Sequence, residues 1–298
     1  MYGICCIGHI TLDKVVTPES EVYMPGGTSF YFAHSLYPVD HDFLLVTALG
    51  QEQVSFAEAL RAKGIHIKLL PSSHTVFFEN IYTASQDDRI QRVWQKADPF
   101  RKEDVANVEA KVYHLGSLLA DDFSLELIKS LSVKGIVSLD VQGMLRKVED
   151  SHVVAVDWAE KRQVLPYIDI LKANQSETAV LTGTDDMAEG AEILAQWGVK
   201  EVVITLGSAG SVIYADNNFC PVPAFVPKKV VDATGCGDTY MAGYLYKRSR
   251  GAGLREAGEF GAAMATLNIE NSGPFCGSFK DIVSRIDGGA KVFPVGKY

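Results

Sequence analysis

Val230-Val231-Asp232-Ala233-Thr234-Gly235-Cys236-Gly237-Asp238-Thr239-Tyr240-Met241-Ala242-Gly243 is the stretch on which the reading of this chain turns. The β-branched pair Val230-Val231 reads as the end of an extended segment. A glycine-rich turn follows at once, and then a helix opens whose Ala242, Gly243, Leu245 and Tyr246 suit a packed face. The first turn of a helix carries unpaired N–H groups and the positive end of the helix dipole. Glycines let those amides crowd around an anion, most often a phosphate. Asp238 stands at the mouth of this cradle, where a carboxylate can take a proton from a hydroxyl that attacks a phosphoryl group. Without that chemistry the same residues are a strand-to-helix turn with a capping aspartate.

Working outward, Leu171-Lys172-Ala173-Asn174-Gln175-Ser176-Glu177 sits where a strand meets a helix, the edge at which open α/β sheets bind ligands. Asn174 and Glu177 fit two readings. They form a capping box, or they place oxygens near Mg²⁺, a hard cation that keeps several waters. Ser138–Arg146 ends another strand and concentrates Asp140, Gln142 and Arg146 at the same edge. Val202-Val203-Ile204-Thr205-Leu206-Gly207-Ser208-Ala209-Gly210 is a strand running into a glycine turn. Near the N-terminus, Asp13 follows the first strand. Pro25-Gly26-Gly27 precedes a helix that begins with Thr28, Ser29, Phe30 and Tyr31. Two adjacent glycines allow close backbone approach. The aromatic pair is either core or a wall against an apolar ligand face.

The spacing predicts buried strands over Tyr2–Gly8 and Phe43–Leu49, a helix over Gln53–Lys63 and a strand over His66–Leu70. Residues Lys14–Met24 read as a short hairpin. Thr75–Ala84 and Arg89–Gln95 flank a turn at Asp87-Asp88 and form a second, exposed on one side. From Lys111 onward, strands at Val112–Leu115, Gly135–Val141, Val153–Val156, Ile168–Lys172 and Glu201–Leu206 alternate with helices. That pattern calls for a mostly parallel sheet covered on both faces. Helices over Asp238–Arg248 and Leu254–Asn271 close the chain.

With 298 residues the chain is long enough for one large domain, and 47% hydrophobic with 22% charged residues is ordinary globular composition. A net charge of −9 argues against a nucleic-acid partner, and no stretch has the apolar length of a membrane span. The five cysteines show no C-x-x-C pair or metal spacing, which fits a reducing, cytoplasmic setting. The seven histidines are scattered and read as structural or surface groups.

The run Asp232-Ala233-Thr234-Gly235-Cys236-Gly237-Asp238 resembles the signature of the ribokinase-like (PfkB-type) carbohydrate kinases, D-T-x-G-A-G-D, with Ala233 and Cys236 as departures that remove no backbone amide. Gly26-Gly27 resembles that family's di-glycine motif, Asn174/Glu177 its N-x-x-E, and Thr205–Gly210 its nucleotide-side T-L-G-x-x-G. The resemblance implies a three-layer α/β/α sandwich with a mostly parallel central sheet. It implies one domain over 1–298, with a small β-lid from about 14–25 and 75–96.

It further implies an ATP-dependent kinase with Asp238 as general base and the amides of Gly235, Cys236 and Gly237 stabilising the transferring phosphoryl group. On the same grounds Asp13, Gly26, Gly27, Tyr31, Asp140, Gln142 and Arg146 are expected to bind substrate. Lys172, Asn174, Thr205, Gly207, Gly210 and Asn268 are expected on the nucleotide. Asn174 and Glu177 are expected to organise Mg²⁺ through water. Asp232 and Thr234 mark where part of the family holds a monovalent cation such as K⁺. Few cations are available to clamp a phosphorylated acceptor: Lys14, Arg89 and Arg92. The expected acceptor is therefore a neutral sugar or a cyclic polyol, with a nucleoside as the alternative and a non-catalytic sugar or nucleotide sensor as the competing class. A monomer and a homodimer are both compatible with a small lid.

Overall fold

The computed structural model describes residues 1–82 and 89–293. The N-terminal half runs β1 (Tyr2–Gly8), β2 (Thr11–Val16), β3 (Glu21–Gly26), α1 (Thr28–Leu36), β4 (Phe43–Leu49), α2 (Val54–Ala62), β5 (His66–Pro71), β6 (Val76–Tyr82) and β7 (Arg89–Gln95). Then come β8 (Ala110–Gly116), α3 (Leu125–Ser132), β9 (Ile136–Asp140), β10 (Arg146–Glu149), β11 (His152–Ala155), α4 (Lys161–Val164), β12 (Ile170–Asn174), α5 (Gln175–Thr182) and α6 (Met187–Gln196). The chain ends with β13 (Glu201–Thr205), β14 (Ser211–Ala215), β15 (Asn218–Val222), β16 (Ala224–Phe225), α7 (Cys236–Arg248), α8 (Leu254–Ile269), α9 (Phe279–Gly288) and β17 (Lys291–Val292).

A nine-stranded sheet in the order β15-β14-β13-β12-β9-β8-β1-β4-β5 forms the middle layer. Every pair from β13 to β5 is parallel, and only the β13–β14–β15 edge is antiparallel. Strand alternation sorts the core into two halves. Cys5 and Ile7 face the cluster that holds Leu127, Ile128, Val164, Leu181 and Leu194, on α3 to α6. Ile4 and Cys6 face Phe32, Leu60, Tyr244, Phe260 and Ile282, on α1, α2 and α7 to α9. This is the expected α/β/α sandwich.

The second sheet is larger than the sequence indicated. It has six strands in the order β10-β11-β7-β6-β2-β3. The valine-rich segment expected as a parallel strand at 153–156 is β11, which pairs antiparallel with β10 and reaches β7 through His152 and Arg92. Its composition suits either sheet, and only its partners decide. One face of this sheet carries Val76, Phe78 and Val93, which pack on Leu118 and Leu119 beyond the end of β8. The other face carries Lys14, Tyr23, Glu79, Arg92 and Trp94, tied by Lys14–Glu21, Lys14–Glu79 and Arg92–Glu79 ion pairs. The expected turn at Asp87-Asp88 lies outside the described residues, as does the Arg89 side chain.

Val230 and Val231 are not strand. Residues 226–235 carry no helix or strand, and Val230 is 71% exposed. This segment is fastened by a few bonds instead. Val231 N–H donates to Ile269 O (2.8 Å) and Lys228 N–H to Glu270 Oε1 (2.5 Å). Arg285 donates to Val226 O (3.2 Å) and pairs with Glu270 at 2.9 Å, both side chains being buried. Among the described residues no helix is long and apolar enough to cross a membrane.

Candidate active site

The candidate residues gather at the carboxyl ends of β1, β9, β12 and β13, under the first turn of α7. That helix starts two residues earlier than the sequence suggested, at Cys236, with Gly235 as its N-cap in the left-handed conformation (φ 72°). A β-carbon on Gly235 would collide with the ring of Tyr31, so only glycine lets this backbone lie on that ring. Asp232 folds the approach by accepting from Thr234 N–H (2.9 Å). The Cys236 amide closes a turn onto Ala233 O (3.2 Å). Among the described residues the amides of Gly235 and Gly237 make no such bond.

The Lys172 ammonium lies under the cradle, 3.2 Å from where a β-carbon on Gly237 would stand. Lys172 and Asp140 are buried, 5% and 3% exposed, and pair at 2.9 Å. Burial works against the Lys172 charge, but Asp140, Glu177 and Asp238 together hold its pKa above the ordinary lysine value. The second Asp140 oxygen accepts from Gln142 N–H (3.1 Å), so each oxygen has a partner within the protein. The Lys172–Asp140 pairing joins residues 32 positions apart, and no motif spacing announces it.

Asp238 is partly open to solvent at the floor of this cleft. Burial of its carboxyl, reinforced by the nearby Asp140 charge, pushes its pKa up to about 8, against the opposing pull of Lys172 and Arg146. Asn174 and Glu177 form both bonds of a capping box: Glu177 N–H donates to Asn174 Oδ1 (2.8 Å) and Asn174 N–H to Glu177 Oε2 (2.7 Å). Burial raises the Glu177 pKa while Lys172 opposes the rise. The cap therefore exists and still leaves Glu177 Oε1 outside it. A single spare carboxylate oxygen suits a metal reached through water and shared with phosphates. Among the described residues no three His, Cys, Asp or Glu side chains converge as a metal cage.

On the opposite wall, Asp13 accepts from Thr11 Oγ1 (2.6 Å) and lies against Gly26, where a β-carbon would overlap its carboxylate. Gly27 caps α1 with φ 90°, and a β-carbon there would press on His9 O at 2.5 Å. Tyr31 is 5% exposed and Phe30 7%, so these aromatics are core and not a ligand wall. Burial raises the Tyr31 pKa, and Asp13, Asp232, Asp238 and Tyr82 all add to the rise.

Among the nucleotide-side candidates, Thr205 ends β13. Gly207 (φ 58°) faces open space, whereas Gly210 is held by crowding against Val222 O. Asn268 points inward. It is 1% exposed and donates to Thr234 O (3.0 Å) and to the Cys236 sulfur (3.5 Å), bracing the cradle from behind. Burial pushes the Cys236 thiol up, so it packs as the small residue it replaces. The five cysteines are free. His9 and His114 are buried and stacked on Phe100 and Phe32.

An anion cradle with a base at its mouth, at the strand ends of a ribokinase-type sandwich, defines a phosphotransferase that uses a hydroxyl acceptor. A model of the pfkB family of carbohydrate kinases matches residues 1–276, and the chain belongs to that family. It is similar to a cytidine kinase of Thermococcus kodakarensis, 30% identical over 278 residues that cover 89% of this chain and 95% of the other. A nucleoside kinase of Methanocaldococcus jannaschii is 23% identical over 296 residues, 92% of each. Among solved structures, a pyrophosphate-dependent kinase of the ribokinase family, complexed with a pyrophosphate analogue and myo-inositol, superposes with a TM-score of 0.83. It is 28% identical and covers 94% of this chain and 99% of that one.

Proposed function

We propose that the protein transfers the γ-phosphoryl group of ATP, with Mg²⁺, to a hydroxyl of a neutral sugar or cyclic polyol. The observation that carries this reading is the glycine-rich opening of α7, with Gly235 in the left-handed conformation, Lys172 beneath Gly237 and Asp238 in the first turn. Asp13 orients the acceptor by accepting from its hydroxyls, and would repel a phosphate. Lys14 and Arg92 lie on the far face of the second sheet, spent on Glu79, so neither serves as a phosphate clamp. Asp238, once ionised, takes the proton of the attacking hydroxyl. Gly235 and Gly237 N–H, with Lys172 beneath, receive the charge of the group in transfer. Mg²⁺, when bound, neutralises donor phosphate charge, and Glu177 Oε1 and Asn174 are the groups that orient its waters. Asp232 and Thr234 would hold a monovalent cation if one is used. The second sheet acts as the lid over the acceptor, and the free thiols fit a cytoplasmic setting.

A nucleoside acceptor is the second reading. It is favoured by the cytidine and nucleoside kinase relatives and by Tyr82, an aromatic on the same sheet face as Asp13. The deciding experiment incubates purified protein with myo-inositol, ribose, cytidine, adenosine and fructose 6-phosphate at equal concentration, with Mg-ATP and, separately, Mg-pyrophosphate as donor. The reading expects the highest kcat/KM with a non-phosphorylated ring and ATP. A phosphorylated sugar tenfold above every neutral compound would overturn the charge argument, and cytidine in first place would move the second reading to the front.

A further inference from the structure

Two residues, His9 and Ile10, carry the chain from β1 in the main sheet to β2 in the second sheet. His9 belongs to none of the motifs, and its ring is wholly buried. The ring stacks on Phe100 with centroids 4.4 Å apart, and Phe100 stacks in turn on Phe123. Neither ring nitrogen has a hydrogen-bond partner among the described residues. Buried nitrogens are nearly always paired in folded proteins, and here an acceptor stands just out of reach. Asp122, 4% exposed, holds its Oδ1 3.6 Å from His9 Nε2, too short a gap for a bridging water to stand in line. Burial lowers the His9 pKa against the opposing pull of Asp122, the Ala48 backbone, Asp121 and Asp98, so the ring is neutral. A neutral imidazole still has one N–H to give, and one of its tautomers places it on Nε2.

Asp122 lies on the loop after β8 that supports the second sheet. Its other oxygen accepts from Leu118 N–H (2.7 Å) and Leu119 N–H (3.0 Å). The side chains of these leucines form the pad under Val76, Phe78 and Val93. Ala120 N–H donates to Arg146 O (3.0 Å) and ties the same loop to the start of β10. The His9 carbonyl lies against the di-glycine turn, since a β-carbon on Gly27 would stand 2.5 Å from it. His9 therefore adjoins three pieces of the acceptor wall: the link into β2 and Asp13, the Gly26-Gly27 turn, and the loop beneath the second sheet.

We propose that His9 is a positioning residue for acceptor binding, a lock between the two sheets that closes when the acceptor fills the cleft, with Nε2–H donating to Asp122 Oδ1. The inference rests on the kinase reading above. As the sheets stand, the contact is roughly 0.7 Å longer than a hydrogen bond, a distance that a small rotation about a two-residue link can close. The loop moves with Asp122, and the leucine pad carries the second sheet with the loop. The bond thus favours one setting of Asp13 against Asp238, and the acceptor that needs that setting binds more tightly for it.

The test uses the best acceptor from the screen and two variants. His9→Leu removes the N–H at similar volume, and His9→Gln returns an amide N–H near the place of Nε2. KM does not depend on the fraction of folded enzyme, so a variant that is merely destabilised leaves it alone. His9→Leu is expected to raise the acceptor KM by about tenfold, with the KM for ATP within about twofold of wild type, and His9→Gln to recover most of the loss. In wild type labelled with ¹⁵N-histidine, the imidazole signal identified by its loss in His9→Gln is expected to move downfield when acceptor is added. An unchanged acceptor KM in His9→Leu, an equal rise in the KM for ATP, or a His9 signal indifferent to acceptor overturns the proposal while the kinase reading stands. A wild type that phosphorylates none of the acceptors overturns the kinase reading, and this inference with it.

Discussion

The two walls of the cleft are built on opposite principles. The cradle wall is charged: the Asp140 carboxylate acts on the titration of Lys172, Glu177 and Asp238, and Lys172 acts on both Glu177 and Asp238. The wall on the second sheet is neutral apart from Asp13, its inward face carrying amides, while its charges are turned outward into the Lys14–Glu79–Arg92 network. On the proposed function, charge is concentrated on the wall assigned to phosphoryl transfer and neutral groups on the wall assigned to the acceptor. Substitutions on the first wall should change turnover for every acceptor alike, and substitutions on the second should change the choice between acceptors.

The strongest way to break this comparison is Asp238→Asn. Loss of the base should lower kcat by about 10²–10⁴-fold for all acceptors, with ATP affinity largely kept. Near-normal turnover would remove Asp238 from the role. The same carboxyl predicts a pH profile. With its pKa raised to about 8, the free protein holds it protonated near neutrality, so kcat/KM should rise with pH, pass half its maximum near pH 8 and level off about one unit higher. The raised pKa also works against folding. Because the folded pKa exceeds the unfolded one, stability is greatest below about pH 4 as far as this group is concerned and falls as pH climbs toward 8. Asp238→Asn should therefore melt several degrees higher than wild type at pH 8 and show no such advantage at pH 4.

Lys172→Met strands Asp140 in the interior. Removing one partner of a buried pair costs on the order of 3–5 kcal/mol, so denaturant unfolding should shift by about that much. Adding Asp140→Leu should recover most of the stability but none of the activity, separating the ion pair's effect on folding from the effect of Lys172 on the cradle. Glu177→Gln keeps an oxygen for Asn174 N–H, so the cap survives with little change in Tm. The Mg²⁺ concentration for half-maximal rate should nonetheless rise severalfold. An unchanged metal requirement would leave Glu177 as a cap and nothing more. The smallest effect belongs to Cys236→Ala: kcat within about twofold of wild type, because a buried protonated thiol there supplies packing.

The parts of the molecule legible in the sequence are those with local causes. Glycines flanking Asp238, the strand-then-helix rhythm after Lys111 and the Asn174/Glu177 box all leave their mark within a few residues. The turn of the β14–β15 hairpin, where Asp216 and Asn217 take positive φ (50° and 58°), and α9, whose Ser278 and Asp281 form a capping box, also have local causes, yet neither element was placed from the sequence. What was not legible depends on partners distant in the chain. Val230-Val231 has strand composition but no neighbouring strand to join. Alternation along the β6–β7 hairpin left open which side is wet, and the packing of Phe78 and Val93 shows which is inward. Phe30 and Tyr31 fitted both a core and a ligand wall, and the Gly235 backbone lying on the Tyr31 ring decides for core.

The Glu270–Arg285 pair reaches further than its position implies. Arg285 lies beyond residue 276, where the match to the family ends, yet it and Glu270 hold Val226 and Lys228, the start of the otherwise unstructured approach to the cradle. Through them a peripheral helix acts as a guy-rope on the phosphate site. A chain cut back to its recognisable family portion would keep every signature residue and lose the Arg285 bonds to Val226 and Glu270 that steady the approach to the cradle.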